Sequence, residues 1–228
     1  MFDYPKLEFR EIYRKFNSPI NDLDCGRECS KFNPNNIPFC CDLSFAIPAA
    51  YHDEWQYLKK NTDLWRVWKE GDFPINKIKS DNSIEDIPEN MLLLACKGVQ
   101  HCQRDFRALG CRQFPFFPYI TNDFRFIGLA YEWEFKNKCW VISNLDQVSD
   151  LYRQEFVLTF DEIFNFWPEE MESYAIKSEK MREVFLQRKQ RIPILHRNGK
   201  NYLLSPKNER INVTPSTKFR KFNPYLPE

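Results

Sequence analysis

Apolar positions along this 228-residue chain fall at helical spacing in some segments and in short strand-like runs in others. After Pro48, the segment "AAYHDEWQYLKKNTDLWRVWKEG" predicts helix over about 49–59 and again over 62–69, with Trp55, Leu58, Leu64, Trp65 and Trp68 on core-facing sides. Near the other end, Thr159-x-x-Glu162 has the form of a capping box opening "FDEIFNFW". Pro168 suits the first turn of a following helix that runs to about Arg191, with Met171, Tyr174, Met181 and Phe185 on one stripe.

Strand-like runs alternate with these helices. Residues 125–143, "RFIGLAYEWEFKNKCWVIS", read as two strands around the turn "FKNK". "IPILHRNGKNYLLSP" reads as a hairpin with Asn198-Gly199 in a type I′ turn. Residues 1–24 hold one short element and a turn at "NSPIND", and the polar stretch 71–90 reads as a surface loop. Helices mixed with local hairpins make an α+β fold. The expected architecture is a small irregular cysteine-rich metal-binding core with helices and short antiparallel hairpins. Residues 1–150 form the cysteine-cluster region, and 151–228 form a helical segment plus C-terminal hairpin packed on the same domain.

Composition removes one explanation for the cysteines. With 43% hydrophobic residues, including 21 Phe, 10 Tyr and 6 Trp, the chain can build a core without covalent staples. The first residues, "MFDYPKLEFREIYRKF", lack the apolar stretch of a signal peptide, and "MLLLAC" at 91–96 is too short to span a bilayer. A cytoplasmic location follows as the expectation, and there thiols stay reduced.

The eight cysteines are unevenly placed. They run Cys25-x3-Cys29-x10-Cys40-Cys41, then Cys96-x5-Cys102-x8-Cys111, with Cys139 alone. Adjacent cysteines bridge each other only with severe strain, so disulfides explain the pattern poorly. Buried core thiols are a second explanation, and the preferred one for Cys139. Thiolate ligation of zinc or an iron–sulfur cluster is the third, and it wants about four soft ligands converging on one point. Seven thiols exceed that number, so either a subset binds or there are two centres. His101, beside Cys102, is a weaker ligand candidate; His52 reads as partly buried and structural, and His196 as exposed.

"DCGREC…FCCD" followed by "CKGVQHC…LGCRQFPFFP" resembles the YkgJ-type cysteine-cluster family of zinc- or iron-chelating proteins, named for a CxxCxxCC pattern. The closest point of likeness is Cys111-Arg112-Gln113-Phe114-Pro115, similar to the family's closing Cys-Arg-x-Phe/Tyr-Pro. The resemblance covers residues 24 to about 118. It implies a metal centre held by Cys25, Cys29, Cys40, Cys41, Cys96, Cys102 and Cys111, as a 4Fe-4S cluster or as zinc. The x10 interval between Cys29 and Cys40 departs from the family, whose opening cysteines lie within a few residues of the pair. Flagellin lysine N-methylases are among the relatives, so the resemblance also implies an alternative: an S-adenosylmethionine-dependent enzyme that modifies protein lysines. Arg112 reads either as a surface cation or as a donor to a cysteine sulfur.

No G-x-G-x-x-G, G-x-x-x-x-G-K-[ST], G-x-S-x-G or H-E-x-x-H occurs, so no catalytic residue can be named from motifs. Charge adds one competing reading. Residues 179–221 carry twelve Lys and Arg against three Asp and Glu, a local +9 in a chain of net charge +1. A binding module for nucleic acid or an acidic protein partner would use such a stretch, while a solvated helix face plus hairpin is the preferred explanation. No aromatic–basic platform accompanies it, which argues against nucleic acid and leaves a protein partner open.

Overall fold

The computed structural model describes residues 7–69 and 88–226 and has the mixed α+β composition expected. The polar stretch expected as a loop over 71–90 lies outside the described residues as far as residue 87. Chain contacts define two units, Met1–Asn17 with Asp24–Phe114, and Ser18–Leu23 with Pro115–Glu228. Among the described residues no helix is long and apolar enough to cross a membrane.

The first unit is built on a three-stranded antiparallel sheet of β1 (Ala49–Tyr51), β2 (Trp65–Val67) and β3 (Met91–Cys96), with β3 in the middle. Around it lie α1 (Phe9–Lys15), α2 (Cys25–Ser30), α3 (His52–Asn61) and α4 (Leu109–Gln113). The helix expected over 62–69 is therefore corrected: Trp65, Arg66 and Val67 pair with Cys96, Ala95 and Leu94. Leu64 and Trp65 are buried as expected, but by a strand whose partner lies some thirty residues on. Glu54, third residue of α3, accepts from the Tyr51 N–H ahead of the helix at 3.3 Å, the reach-back contact of a capping box.

The second unit is an antiparallel meander of five strands in sequence order: β4 (Phe116–Ile120), β5 (Phe126–Tyr131), β6 (Ile192–His196), β7 (Asn201–Leu204) and β8 (Ile211–Val213). Pro118 lacks an N–H for a ladder and sits in β4, an edge strand, where one side needs no partner. Gly128 has φ +149°, and a Cβ there would lie 2.4 Å from Leu195 O, so the close β5–β6 approach requires glycine.

Two long helices complete this unit, α6 (Asp150–Phe166) and α7 (Pro168–Gln187). The short helix α5 (Trp140–Ser143) replaces the second strand expected over 125–143. Ser149 caps α6, its hydroxyl accepting from Tyr152 N at 3.2 Å, so the capping box expected at Thr159-x-x-Glu162 lies inside the helix instead. Tyr152, Phe156, Phe160 and Phe164 recur every four residues and form one buried stripe, with successive ring centroids 6.2, 4.6 and 5.8 Å apart. Burying each Phe of that stripe stabilises the unit by about 2–3 kcal/mol. Pro168 occupies the first turn of α7, as expected.

The β6–β7 hairpin also forms, but its turn differs from type I′. Only Gly199 of the Asn198-Gly199 pair has positive φ (84°), and its N–H donates to His196 O at 3.0 Å. The connection is thus a turn over 196–199 closed by a left-handed glycine. Part of the basic stretch is consumed internally. Buried Arg182 donates to Glu209 Oε1 at 2.9 Å and to Ile120 O at 3.2 Å, and Arg197 pairs with Asp161 at 2.8 Å.

Candidate metal centre

All seven clustered cysteines belong to the first unit, and three segments deliver them. The first is α2, which carries Cys25 and Cys29 and is capped by Asp24, whose Oδ1 accepts from Gly26 N at 3.1 Å. The ten-residue interval after Cys29 is a folded loop organised by Asp42. One Asp42 oxygen accepts from Asn33 Nδ2 (3.0 Å) and Asn35 Nδ2 (2.8 Å), the other from Ser44 N (3.0 Å) and Ser44 Oγ (2.6 Å). Asn33 Nδ2 also donates to Ile37 O at 2.9 Å. This loop leads to the 3-10 turn Phe39–Cys41, and in α2 the Cys29 thiol donates to Gly26 O at 3.6 Å.

Cys96 ends β3, and Gly98, with a φ of 99° that suits glycine, follows two residues on. Cys102 follows a 3-10 turn over Val99–His101, and Cys111 lies in α4. The thiols are near enough for charge on one to act on its neighbours. Burial is the largest influence on Cys25, pushing it up to about 11, and the thiols of Cys29 and Cys41 push the same way. Burial likewise raises Cys111 strongly, followed by Cys41, Cys96 and Cys102. Cys29 and Cys96 are raised by burial and by Cys41. Cys41 is lowered, first by a hydrogen bond from Cys40. Its charge is a secondary influence, after burial, on Cys25, Cys29, Cys96 and Cys111.

Two arginines serve this region differently, and the structure reassigns the part expected of Arg112. That side chain is neither a surface cation nor a sulfur donor; it is buried and bonded to the backbone. Its Nε donates to Arg107 O (2.8 Å), one terminal nitrogen to Arg104 O (3.1 Å) and Asp105 O (2.9 Å), and the other to Tyr13 O, Phe16 O and Asn17 Oδ1. Trp65 Nε1 donates to Phe106 O at 2.7 Å. Four successive carbonyls, from residue 104 to 107, are thereby each held by a side-chain donor. The sulfur donor is Arg107, whose Nε lies 3.2 Å from Cys102 Sγ. Nothing in the one-dimensional spacing singles out Arg107.

Sequence reading also passes over Glu54, which is fully buried. Its Oε1 accepts from the Tyr13 hydroxyl and from Leu109 N, and the Arg112 guanidinium lies 4.1 Å from the Tyr13 ring centroid. Burial lifts the Glu54 carboxyl from 4.5 to about 7, against the opposing pull of donors from Tyr13, Leu109 and Tyr51 and the charge of Arg112. A carboxyl raised in the fold contributes stability fully below its unfolded value and loses it as pH rises through the folded one. Between 4.5 and about 7 the contribution falls by about 3 kcal/mol. Glu54→Gln, which cannot ionise, should lack that fall. Urea denaturation of both proteins across this range checks it, and identical pH profiles would refute it.

Cys139 stands apart in the second unit and is buried, as expected of a core thiol, although it precedes α5 and is not in a strand. His101 is exposed; His52 is also exposed, contrary to expectation, and its Nε2 donates to Glu89 O at 3.1 Å. His196 is half-buried against Tyr202, with ring centroids 4.9 Å apart. None of the eight cysteines is in a disulfide. Among the described residues no group of three or more His, Cys, Asp or Glu side chains is set to hold a metal ion in this arrangement. No protein-family model, curated protein or solved structure matches the chain.

Proposed function

We propose that the first unit is a metal-binding module in which thiolates of Cys25, Cys29, Cys40, Cys41, Cys96, Cys102 and Cys111 supply the ligands of an iron–sulfur cluster, with zinc as the alternative occupant. The observation that supports this reading is the donor set: seven of the eight cysteines fall in the first unit, where Arg107 Nε lies 3.2 Å from Cys102 Sγ. The donor chemistry fits a soft metal, since sulfur is the only ligand type abundant there. After burial, which raises both, the backbones of Phe39 and Gly98 favour the thiolate forms of Cys29 and Cys96, while the Cys29 thiol itself donates to Gly26 O at 3.6 Å. Burial works the other way by favouring the neutral thiol. A bound cation offsets that penalty, which gives the site a reason to take one. Bound there, a cluster would supply one-electron chemistry, and zinc would cross-link the three segments.

The likeness to YkgJ-type cysteine-cluster proteins supports the same reading through Cys111-Arg112-Gln113-Phe114-Pro115. Protein purified without oxygen and analysed for iron, acid-labile sulfide and zinc tests it. Iron with sulfide and a broad visible absorption band is the expected result, and stoichiometric zinc without colour selects the alternative. Fully folded protein that contains no metal and takes none up on reconstitution would overturn it.

A further inference from the structure

The seven thiols pose a charge problem that the proposed function leaves unsolved. Each ligand thiolate carries a full negative charge, and gathering several in a partly buried site is costly unless nearby cations or N–H donors offset it. Two arginines lie close by. Arg112 directs its donors to five backbone carbonyls and the Asn17 side chain. Its positive charge faces Tyr13 and Glu54. Arg107 is placed otherwise. Its backbone is fixed by its N–H on Arg104 O (3.2 Å) and by Arg112 Nε on its own carbonyl (2.8 Å). The residue is half-buried, and its Nε donates to the sulfur of exposed Cys102 at 3.2 Å.

Beyond that contact with Cys102, the charge of Arg107 is a lesser influence favouring the thiolates of Cys25 and Cys111, where burial dominates, and of Cys41, where the Cys40 hydrogen bond comes first. Asp24 opposes it, raising Cys25, Cys29 and Cys41, although exposed Arg27 pairs with that carboxylate at 3.3 Å. Because Arg112 and Trp65 hold the carbonyls of residues 104–107, the guanidinium is carried on a rigid segment. A pre-positioned charge of this kind needs no reorganisation when a metal arrives.

We propose that Arg107 is the counter-ion of the thiolate centre, a positioning residue that lowers the charge cost of assembling the thiolates and so sets how tightly the centre holds a metal. This rests on the reading of the site as a thiolate metal centre. Arg107 touches no metal itself; it acts through Cys102 and through its field at the other sulfurs. Removing its side chain leaves the backbone contacts of residue 107 in place, so the fold is expected to survive the substitution.

The test is anaerobic titration of reduced, metal-free protein with cobalt(II), followed through the sulfur-to-cobalt charge-transfer band. Arg107→Gln is expected to weaken cobalt binding about ten- to hundredfold, the range typical of groups that support metal ligands from behind. The band intensity at saturation should stay that of the parent, because the number of thiolates bound is unchanged. Arg107→Lys keeps the charge but not the planar fork and is expected to fall between the two. A loss of the saturated band in Arg107→Gln would mean that the residue holds the site's structure, and would overturn the counter-ion role. Parent-like affinity in both variants would also overturn it while leaving the metal-centre reading intact. Parent protein that binds no cobalt would instead sink the metal-centre reading, and the role of Arg107 with it.

Discussion

Arg112→Ala is expected to destabilise the first unit by about 4 kcal/mol, measured as a lowered denaturant midpoint. The side chain makes hydrogen bonds to six acceptors drawn from the α1 segment and the turn before α4. Charged hydrogen bonds contribute about 1.5–3 kcal/mol each, but their sum would overshoot. Residues 104 and 105 are exposed, so water can take over part of their hydrogen bonding once the guanidinium is gone. The carbonyls of buried Tyr13 and Phe16 are less able to do so. Loss also spreads through Tyr13, whose ring lies under the guanidinium and whose hydroxyl donates to Glu54. Arg112→Lys should recover less than half the difference, because one ammonium cannot reach the α1 carbonyls and those of residues 104 to 107 together. A loss below about 1 kcal/mol in the alanine variant would show that this network does not hold the unit together.

How much of this was legible in the sequence depends on how local its causes are. Pro168 at the start of α7 and the hairpin around Gly199 are set by residues within a few positions, and both were readable. Thr159-x-x-Glu162 misleads because a four-residue aromatic stripe from Tyr152 to Phe164 carries the helix straight through it. Trp65–Val67 looks helical by its neighbours' spacing and becomes a strand only because Leu94–Cys96 supplies a distant partner. The site divides the same way. Clustering of cysteines along the chain marks segments that all fall in the first unit. What the x10 interval does is visible only once Asn33 and Asn35 are seen on Asp42. Arg112 is conspicuous beside Cys111, yet Arg107 is the residue whose guanidinium meets a sulfur. Adjacency in sequence said nothing about which arginine would point where.

Cys41→Ser is expected to reduce metal content at least about tenfold, because a neutral hydroxyl is a poor ligand for a site built from soft thiolates. After burial, the charge of Cys41 is among the influences that raise Cys25 and Cys29 in α2, Cys96 in β3 and Cys111 in α4. A second variant then separates one centre from two. If one metal group spans all three segments, Cys25→Ser should lose metal as completely as Cys41→Ser. If Cys96, Cys102 and Cys111 form a centre with Cys41 alone, Cys25→Ser should keep that share of the metal. Cys139→Ser, in the second unit, is the matched control and should keep all of it. Elemental analysis of the three variants against parent protein decides the matter. Full metal in Cys41→Ser would remove this thiol from the proposed centre.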